Sequence, residues 1–576
     1  MKMKKLKMIP VLLLALVTAA ALIPAAGAAS GDIYVNDGGV LSGSLDSAYA
    51  VGGSGTGAVS GTYVMTADGL TTVDGGGSST EGGNSERPGR DEVSETPEHL
   101  SVTGSITLPH SVFRVGLYYY DGTSSIRNST LESANLENDV GSGYRFGYYD
   151  SDRVFHEVGY TSETRISMAM DRNVTLSSGV SLGCYHVLLP GSYGSFEQAA
   201  SAAAQYTGGF PAYYNDGYYV LVGAYENYSD ADAAAQMLGV AGAEAYTASS
   251  YCVTVANTRT GDIIFEFDCG TGRNLAVSPN GNGEKAITWF KGLRYYGDFE
   301  YVRRTGDKLT VINIVNIEDY VNGVIPSEMN GSWPIEALKA QSLCARTFAA
   351  SHFNSYSSYG FDVTNDTYCQ VYRGLTGITA NSRAAVEATA GIYILYKGTP
   401  ISAMYCSSNG GATEDSENVT GSAVGYLRGK VDSFEAAAAS INSHSSWTFT
   451  FTRDELAQKA NLKGGSISSA DDIELTWSDT GNVIGIRFTD SSGRTVSFEG
   501  SSCYSFCCST LGLSSISFEI EENGDVISFI GSGWGHNLGM SQYGAYAMAN
   551  IYGFTYDQIV NFYYTDITLA SASYTK

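Results

Sequence analysis

A single glutamate, Glu328, stands where this chain could hold a general acid. It closes the run Val315 to Met329, rich in β-branched residues, and precedes a helical pattern from Trp333 through Ile335, Ala337, Leu338 and Gln341. The run predicts a half-buried strand, so Glu328 is expected in a tight loop between that strand and the first turn of the helix. Burial and oriented backbone groups at such a place set a carboxyl's protonation state. The competing role is a helix-leading acid that complements the dipole near Trp333. Glu318 and Glu336 read as solvated charges, and Asp319 as a brace for the loop.

Further along, Gly531, Gly533, Gly535 and Gly539 permit positive φ and close backbone approach, so this loop can wrap a ligand. Within it Trp534 is a candidate for packing on a ligand's face, and His536 and Gln542 for donating hydrogen bonds to it, against a purely structural role for the histidine. Gln370, Tyr372, Ser407 and Ser408 are polar-groove candidates, against local turn bonding. Asp362, Asp366 and Glu414 are candidate second carboxylates or, alternatively, turn and cap residues. Arg346 lies among small apolar residues and predicts a buried strut paired with a carboxylate.

The elements that must position these residues divide the chain. Residues 1–29 carry Lys2, Lys4, Lys5 and Lys7, an apolar run from Met8 to Leu22 and a small-residue cleavage pattern; they read as a secretory signal peptide, the alternative being an uncleaved anchor. Residues 30–104, rich in Gly and Ser, read as a disordered spacer. Residues 105–183 read as a β-rich part, with alternating strands such as Ser111 to Tyr118. Residues 184–250 follow the order strand, helix, strand, strand, helix, strand, with Ser195 and either Ser229 or Asp230 as helix N-caps. Residues 251–570 hold the candidate chemistry. The fold class predicted is α+β.

Four blocks in the second half resemble the SpoIID/LytB family of stage II sporulation protein D-like lytic transglycosylases and amidase enhancers. The first is Val315 to Met329, extended through Gln341-Ser342-Leu343-Cys344-Ala345-Arg346-Thr347-Phe348-Ala349. The others are Asp362 to Gly374 with Gln370-Val371-Tyr372, Ala403 to Glu414 with Tyr405-Cys406-Ser407-Ser408-Asn409-Gly410-Gly411, and Gly531 to Ala545 with Gly533-Trp534-Gly535-His536. The resemblance implies a SpoIID-like mixed catalytic domain and places Glu328 at the catalytic glutamate. Val419-Thr420-Gly421 and Tyr426-Leu427 depart from the family pattern at the groove rim. Of a His and Cys cluster found in some relatives, Cys369 remains. No metal and no cofactor is expected.

The segment from Gly217 to Tyr225 and its helix cap give residues 184–250 a resemblance to a SPOR domain, a ferredoxin-like βαββαβ unit. That resemblance implies binding to peptidoglycan glycan strands stripped of their stem peptides. Tyr218, Tyr219 and Tyr225 are candidates for stacking on sugars, or sheet core residues.

A glycosidic bond needs a proton delivered to a weakly basic oxygen, and a carboxylic acid of raised pKa supplies it. A lytic transglycosylase, as the resemblance implies, captures the sugar cation with the muramic acid's own 6-hydroxyl, giving 1,6-anhydromuramic ends, so the glutamate serves as both acid and base. A second carboxylate is then unnecessary. The alternative function is a non-catalytic, wall-binding amidase enhancer whose partner is a cell-wall amidase. Removing the four signal lysines takes the net charge from −26 to about −30, which disfavours nucleic acid and anionic lipid as partners. The expected location is secreted, at the cell envelope. The nine cysteines are odd in number and contain no CxxC pair; they read as buried thiols with one or two bridges.

Overall fold

The strand Thr310–Asn316 runs through the middle of a seven-stranded sheet and is buried along nearly its whole length. Its TVINIV run, mostly β-branched and with only Thr310 and Asn313 polar, is the pattern of a strand covered on both faces. It pairs antiparallel with Val112–Tyr118 on one side and Asp298–Val302 on the other, and the sheet continues through Leu275–Pro279, Tyr144–Tyr149 and Phe155–Thr161. This computed structural model describes residues 87–90, 94–120, 130–304 and 308–575, with the backbone of the paired two-residue strands Met65–Thr66 and Gly69–Leu70. The signal segment and most of the spacer lie outside the described residues. The architecture is mixed α and β, rich in sheet with several helices.

The segment after the central strand differs from the sequence expectation. Ile317–Glu328 is a helix, capped by the Asn316 side chain, which accepts from the Glu318 amide. Its buried residues, Ile317, Tyr320, Val321, Val324 and Ile325, recur at helical spacing. The β-branched content hid that period. Pro326 sits in the last turn, and the helix stops at Glu328. Glu328 is therefore the final residue of a helix, where the negative end of the dipole disfavours its ionised form.

The helix Ile335–Ser351 is buried almost all round, and it packs against Ile317–Glu328, Ala380–Ala388, Gln542–Asn550 and Tyr556–Tyr563. Its fully buried charged residue, Arg346, pairs with Glu318 at 2.7 Å. Glu318 also accepts from the Gly391 amide at 3.0 Å, so it is a structural anion and not the solvated charge expected. Glu336 is likewise engaged, with Lys339 and the Tyr556 amide.

Residues 185–247 form the strand and helix order expected, with Asn227 as the second helix cap in place of Ser229 or Asp230. Their four strands lie in the antiparallel spatial order Glu244–Thr247, Tyr185–Leu188, Gly217–Tyr225, Gly209–Tyr214. They are part of a larger sheet, because Gly209–Tyr214 pairs in parallel with Ile263–Asp268.

Residues 94–104, grouped by composition with the spacer, make contacts in the packed body. Val102–Leu108 lies parallel to the last strand, Ile567–Tyr574, and the Leu100 amide donates to Asp557. Toward the C-terminus a second apolar core joins the helix Arg453–Asn461 to the strands Asp472–Trp477, Val483–Thr489 and Val526–Gly531. All nine cysteines are free thiols. No helix among the described residues is long and apolar enough to cross a membrane.

Candidate active site

A two-residue parallel ladder, Tyr405 with Met540 and Cys406 with Ser541, ties the third sequence block to the fourth. Ser541 caps the helix Gln542–Asn550 by accepting from the Gly544 amide. Tyr405 and Gln542 thereby converge on Glu328. The Val371 amide approaches from the second block, 3.2 Å from Glu328 Oε1.

Glu328 lines a cavity of about 460 Å³ together with Phe348, Tyr356, Tyr368, Tyr405, Ser407, Trp534 and Gln542. Burial pushes its carboxyl up to about 7, while hydrogen bonds from the Val371 amide, Tyr405 and Gln542 pull in the opposite direction. Desolvation dominates, so near neutral pH the group is poised between acid and base. Among the described residues that line the cavity, Glu328 is the only carboxylate.

The other candidate acids have structural partners. Asp362 is buried, ion-paired with Arg153 at 2.6 Å and bonded to the Arg114 amide. Asp366 closes a turn by accepting from Thr364 and the Tyr368 amide. Glu414 accepts from Asn418, Ser478 and Thr480.

Trp534 is 47% exposed and rests its ring on His444, with ring centroids 4.7 Å apart, so one aromatic face remains available at the cavity edge. Its loop follows a left-handed path. At Gly535, φ is +126° and an added Cβ would meet Cys406 Cβ at 2.7 Å, so a side chain there would push the two blocks apart.

His536 also lines the cavity, but its ring is committed. Nδ1 accepts from the Leu538 amide at 3.0 Å, and the ring also bonds the Tyr405 backbone. Burial lowers its pKa to about 4, so it is a neutral strut and not the substrate donor expected. Gln542, besides meeting Glu328, donates to Gln341 at 3.4 Å.

Gln370, Tyr372 and Ser408 lie behind the cavity wall. Gln370 accepts from Tyr320 and donates to the Tyr405 hydroxyl, which fixes that ring beside Glu328. Tyr372 is buried and donates to Asn313 at 2.8 Å, while Ser408 donates to the buried Glu435. Tyr218 and Tyr225 are half-buried in the sheet of residues 185–247 and belong to a different part of the fold. Sequence reasoning missed Tyr405, Phe348, Tyr356 and Tyr368 as wall residues. Tyr405 stood beside the singled-out Ser407, and its adjacency was the available signal.

Residues 305–396 match the family model described as SpoIID, stage II sporulation protein. An uncharacterised protein of Brachyspira hyodysenteriae is 33% identical over 285 residues, which cover 48% of this chain and 73% of that protein. Stage II sporulation protein D of Bacillus subtilis is 33% identical over 273 residues, covering 45% of this chain and 75% of that protein. The amidase enhancer of Bacillus subtilis is 32% identical over 291 residues, covering 44% of this chain and 40% of that protein.

Proposed function

The chain belongs to the SpoIID family, and on that premise we propose that it is a lytic transglycosylase that cleaves the MurNAc-GlcNAc bond of peptidoglycan at the cell envelope, in sporulation or wall remodelling. The observation that carries this reading is a lone carboxyl of pKa about 7 on the wall of a sugar-sized cavity edged by an exposed tryptophan. Hydrolases normally need two carboxyl groups flanking the bond, about 5–5.5 Å or 6.5–9.5 Å apart. A lone acid suits a reaction whose nucleophile comes with the substrate.

In the proposed cycle Glu328 gives its proton to the bridging oxygen, and the GlcNAc 4-hydroxyl leaves as C1 of the muramic acid gains oxocarbenium character. The 6-hydroxyl of the same sugar then attacks C1, and the Glu328 carboxylate takes its proton. One proton leaves and one returns, so the acid is restored for the next bond. An internal hydroxyl carries a high effective molarity, which spares the protein a water-positioning base. The bonds from Val371, Tyr405 and Gln542 stabilise the carboxylate between the two steps.

Residues 185–247, in this reading, form a SPOR-like ferredoxin-type unit that grips glycan strands through Tyr218 and Tyr225 while the cavity cuts. The N-terminal signal delivers the protein to the wall.

Digestion of purified glycan strands, with mass detection of 1,6-anhydromuramic ends, tests the proposal. Wild type is expected to release such ends and E328Q to release about 10³-fold fewer while remaining folded. Similarity to an amidase enhancer supports a second reading, in which the chain binds the wall and stimulates an amidase. Amidase stimulation without anhydro ends, unchanged in E328Q, would establish that reading in place of the first.

A further inference from the structure

Far along the chain from the acid, three buried side chains meet at a seam in the ten-stranded sheet. Asp171 follows the strand Arg165–Met170, His186 lies in Tyr185–Leu188 and Glu266 in Ile263–Asp268. His186 and Glu266 have essentially no exposed surface, and Asp171 has little. One ligand-type atom from each lies within 4.8 Å of the others.

The imidazole is oriented for this meeting. Nδ1 bonds the Gly223 carbonyl at 2.6 Å, so Nε2 faces the two carboxylates, 3.2 Å from Glu266 Oε2 and 3.7 Å from Asp171 Oδ1. A backbone carbonyl on the second ring nitrogen is the usual way a metal-binding histidine is held. Yet His186 Nε2 and Glu266 Oε2 are both buried without a hydrogen-bond partner, despite their proximity. They are misaligned for each other. Atoms at about 2.0–2.1 Å from a tetrahedral zinc ion stand about 3.3 Å apart, which is close to the two separations from His186 Nε2, while all three atoms lie within 4.8 Å of one another.

Charge points the same way. Two carboxylates outnumber the neighbouring guanidinium of Arg303, which bonds the Cys252 carbonyl at 2.8 Å, and against burial they hold the His186 imidazole well above its ordinary pKa, so the pocket takes one further positive charge, as a ring proton or as a bound cation. The Cys252 thiol bonds Glu266, and the Phe210 ring packs edge-on against His186 at 5.2 Å, which closes the site to bulk water. Imidazole with carboxylates suits zinc-type cations better than calcium or magnesium, which favour all-oxygen shells.

We propose that Asp171 Oδ1, His186 Nε2 and Glu266 Oε2 bind a divalent transition cation of the zinc class. The ion is a clasp. It fastens the unit of residues 185–247, through His186, to the flanking strands that carry Asp171 and Glu266. The sequence reading expected no metal because only Cys369 remains of the His and Cys cluster of some relatives, which lies elsewhere in the chain.

The test uses the full mature chain, stripped with a chelator, dialysed against Zn²⁺ alone and assayed by elemental mass spectrometry. Wild type and E328Q are expected to retain one equivalent, and H186A and E266Q to bind at least about 100-fold more weakly. Because those variants alter a buried cluster, Co²⁺ loaded into wild type gives an independent readout. The expected spectrum has ligand-field bands without thiolate charge transfer. A thiolate band would move the ion to the cysteines and overturn the proposal. So would a metal-free wild type whose His186 ring carries both protons by ¹⁵N NMR, since the added charge would then be the imidazolium itself.

Discussion

Gln542 bonds the carboxylate of Glu328 from the first turn of its own helix, across more than two hundred residues of chain. Donation favours the ionised form and offsets part of the desolvation that raises this acid. Replacing Gln542 with Leu is expected to move the alkaline limb of the pH-rate profile upward by about one unit. It should also lower kcat, because the carboxylate that acts as base in the proposed cycle is less stabilised. A profile that does not move would show that the amide has no electrostatic hold on the acid.

The raised pKa of Glu328 has a consequence for stability with a definite sign. A carboxyl lifted from 4.5 to about 7 in the folded state contributes fully below its unfolded pKa and loses that contribution as pH rises through 7. E328Q cannot ionise, so at pH 8 it should be more stable than wild type by on the order of 1–3 kcal/mol. At pH 4 the two should melt together. Tm measured at both pH values decides it.

Arg346 is fully buried and its guanidinium is matched to Glu318 through two nitrogens. Arg346→Met leaves Glu318 and the surrounding carbonyls without their donor and should cost about 3 kcal/mol in urea unfolding. Arg346→Lys should recover little, since an ammonium cannot reproduce the fork.

Much of the site was legible in the sequence because its parts are contiguous blocks, and each block kept its residues together when the chain folded. Glu328, Trp534 and Gln542 reach one cavity for that reason. Local environment was harder to read. Tyr372 and Ser408 looked like groove residues, yet the strand partner Asn313 and the buried Glu435 claim their hydroxyls. His536 looked like a donor until two backbone groups were seen to occupy its ring. The helix Ile317–Glu328 was hidden because tertiary packing overrode the β-branched residues' local preference. Phe348, Tyr356 and Tyr368 share a wall only through tertiary folding.

Glu435 is a further point of leverage. It accepts from Ser408, Ser541 and the amides of Asn409 and Gly410, so one buried carboxylate joins the third block to the cap of the Gln542 helix. Burial and the nearby Asp432 raise its pKa. Glu435→Gln sets an amide donor against this ring of donors and should reduce the proposed cleavage by roughly tenfold to a hundredfold through misplacement. The kinetic pKa of Glu328 should stay where it was, which separates a positioning role from a chemical one.

Trp534→Ala removes the exposed ring above His444. The expected result is a KM for glycan strands raised about tenfold, corresponding to about 1.4 kcal/mol of lost contact, with kcat little changed. A fall in kcat at constant KM would mean that the ring acts on the reacting sugar rather than beside it.

The strand Val102–Leu108 cannot find its neighbour until Ile567–Tyr574 exists. A ribosome makes Glu328 long before it makes Gln542 or Trp534, and the strand Ile567–Tyr574 later still. During synthesis the nascent protein therefore holds Glu328 without the cavity around it, and chains truncated ahead of residue 534 lack both Trp534 and Gln542 from its wall. Pairing between such distant segments is also slow to form, so this edge of the sheet waits on the arrival of Ile567–Tyr574.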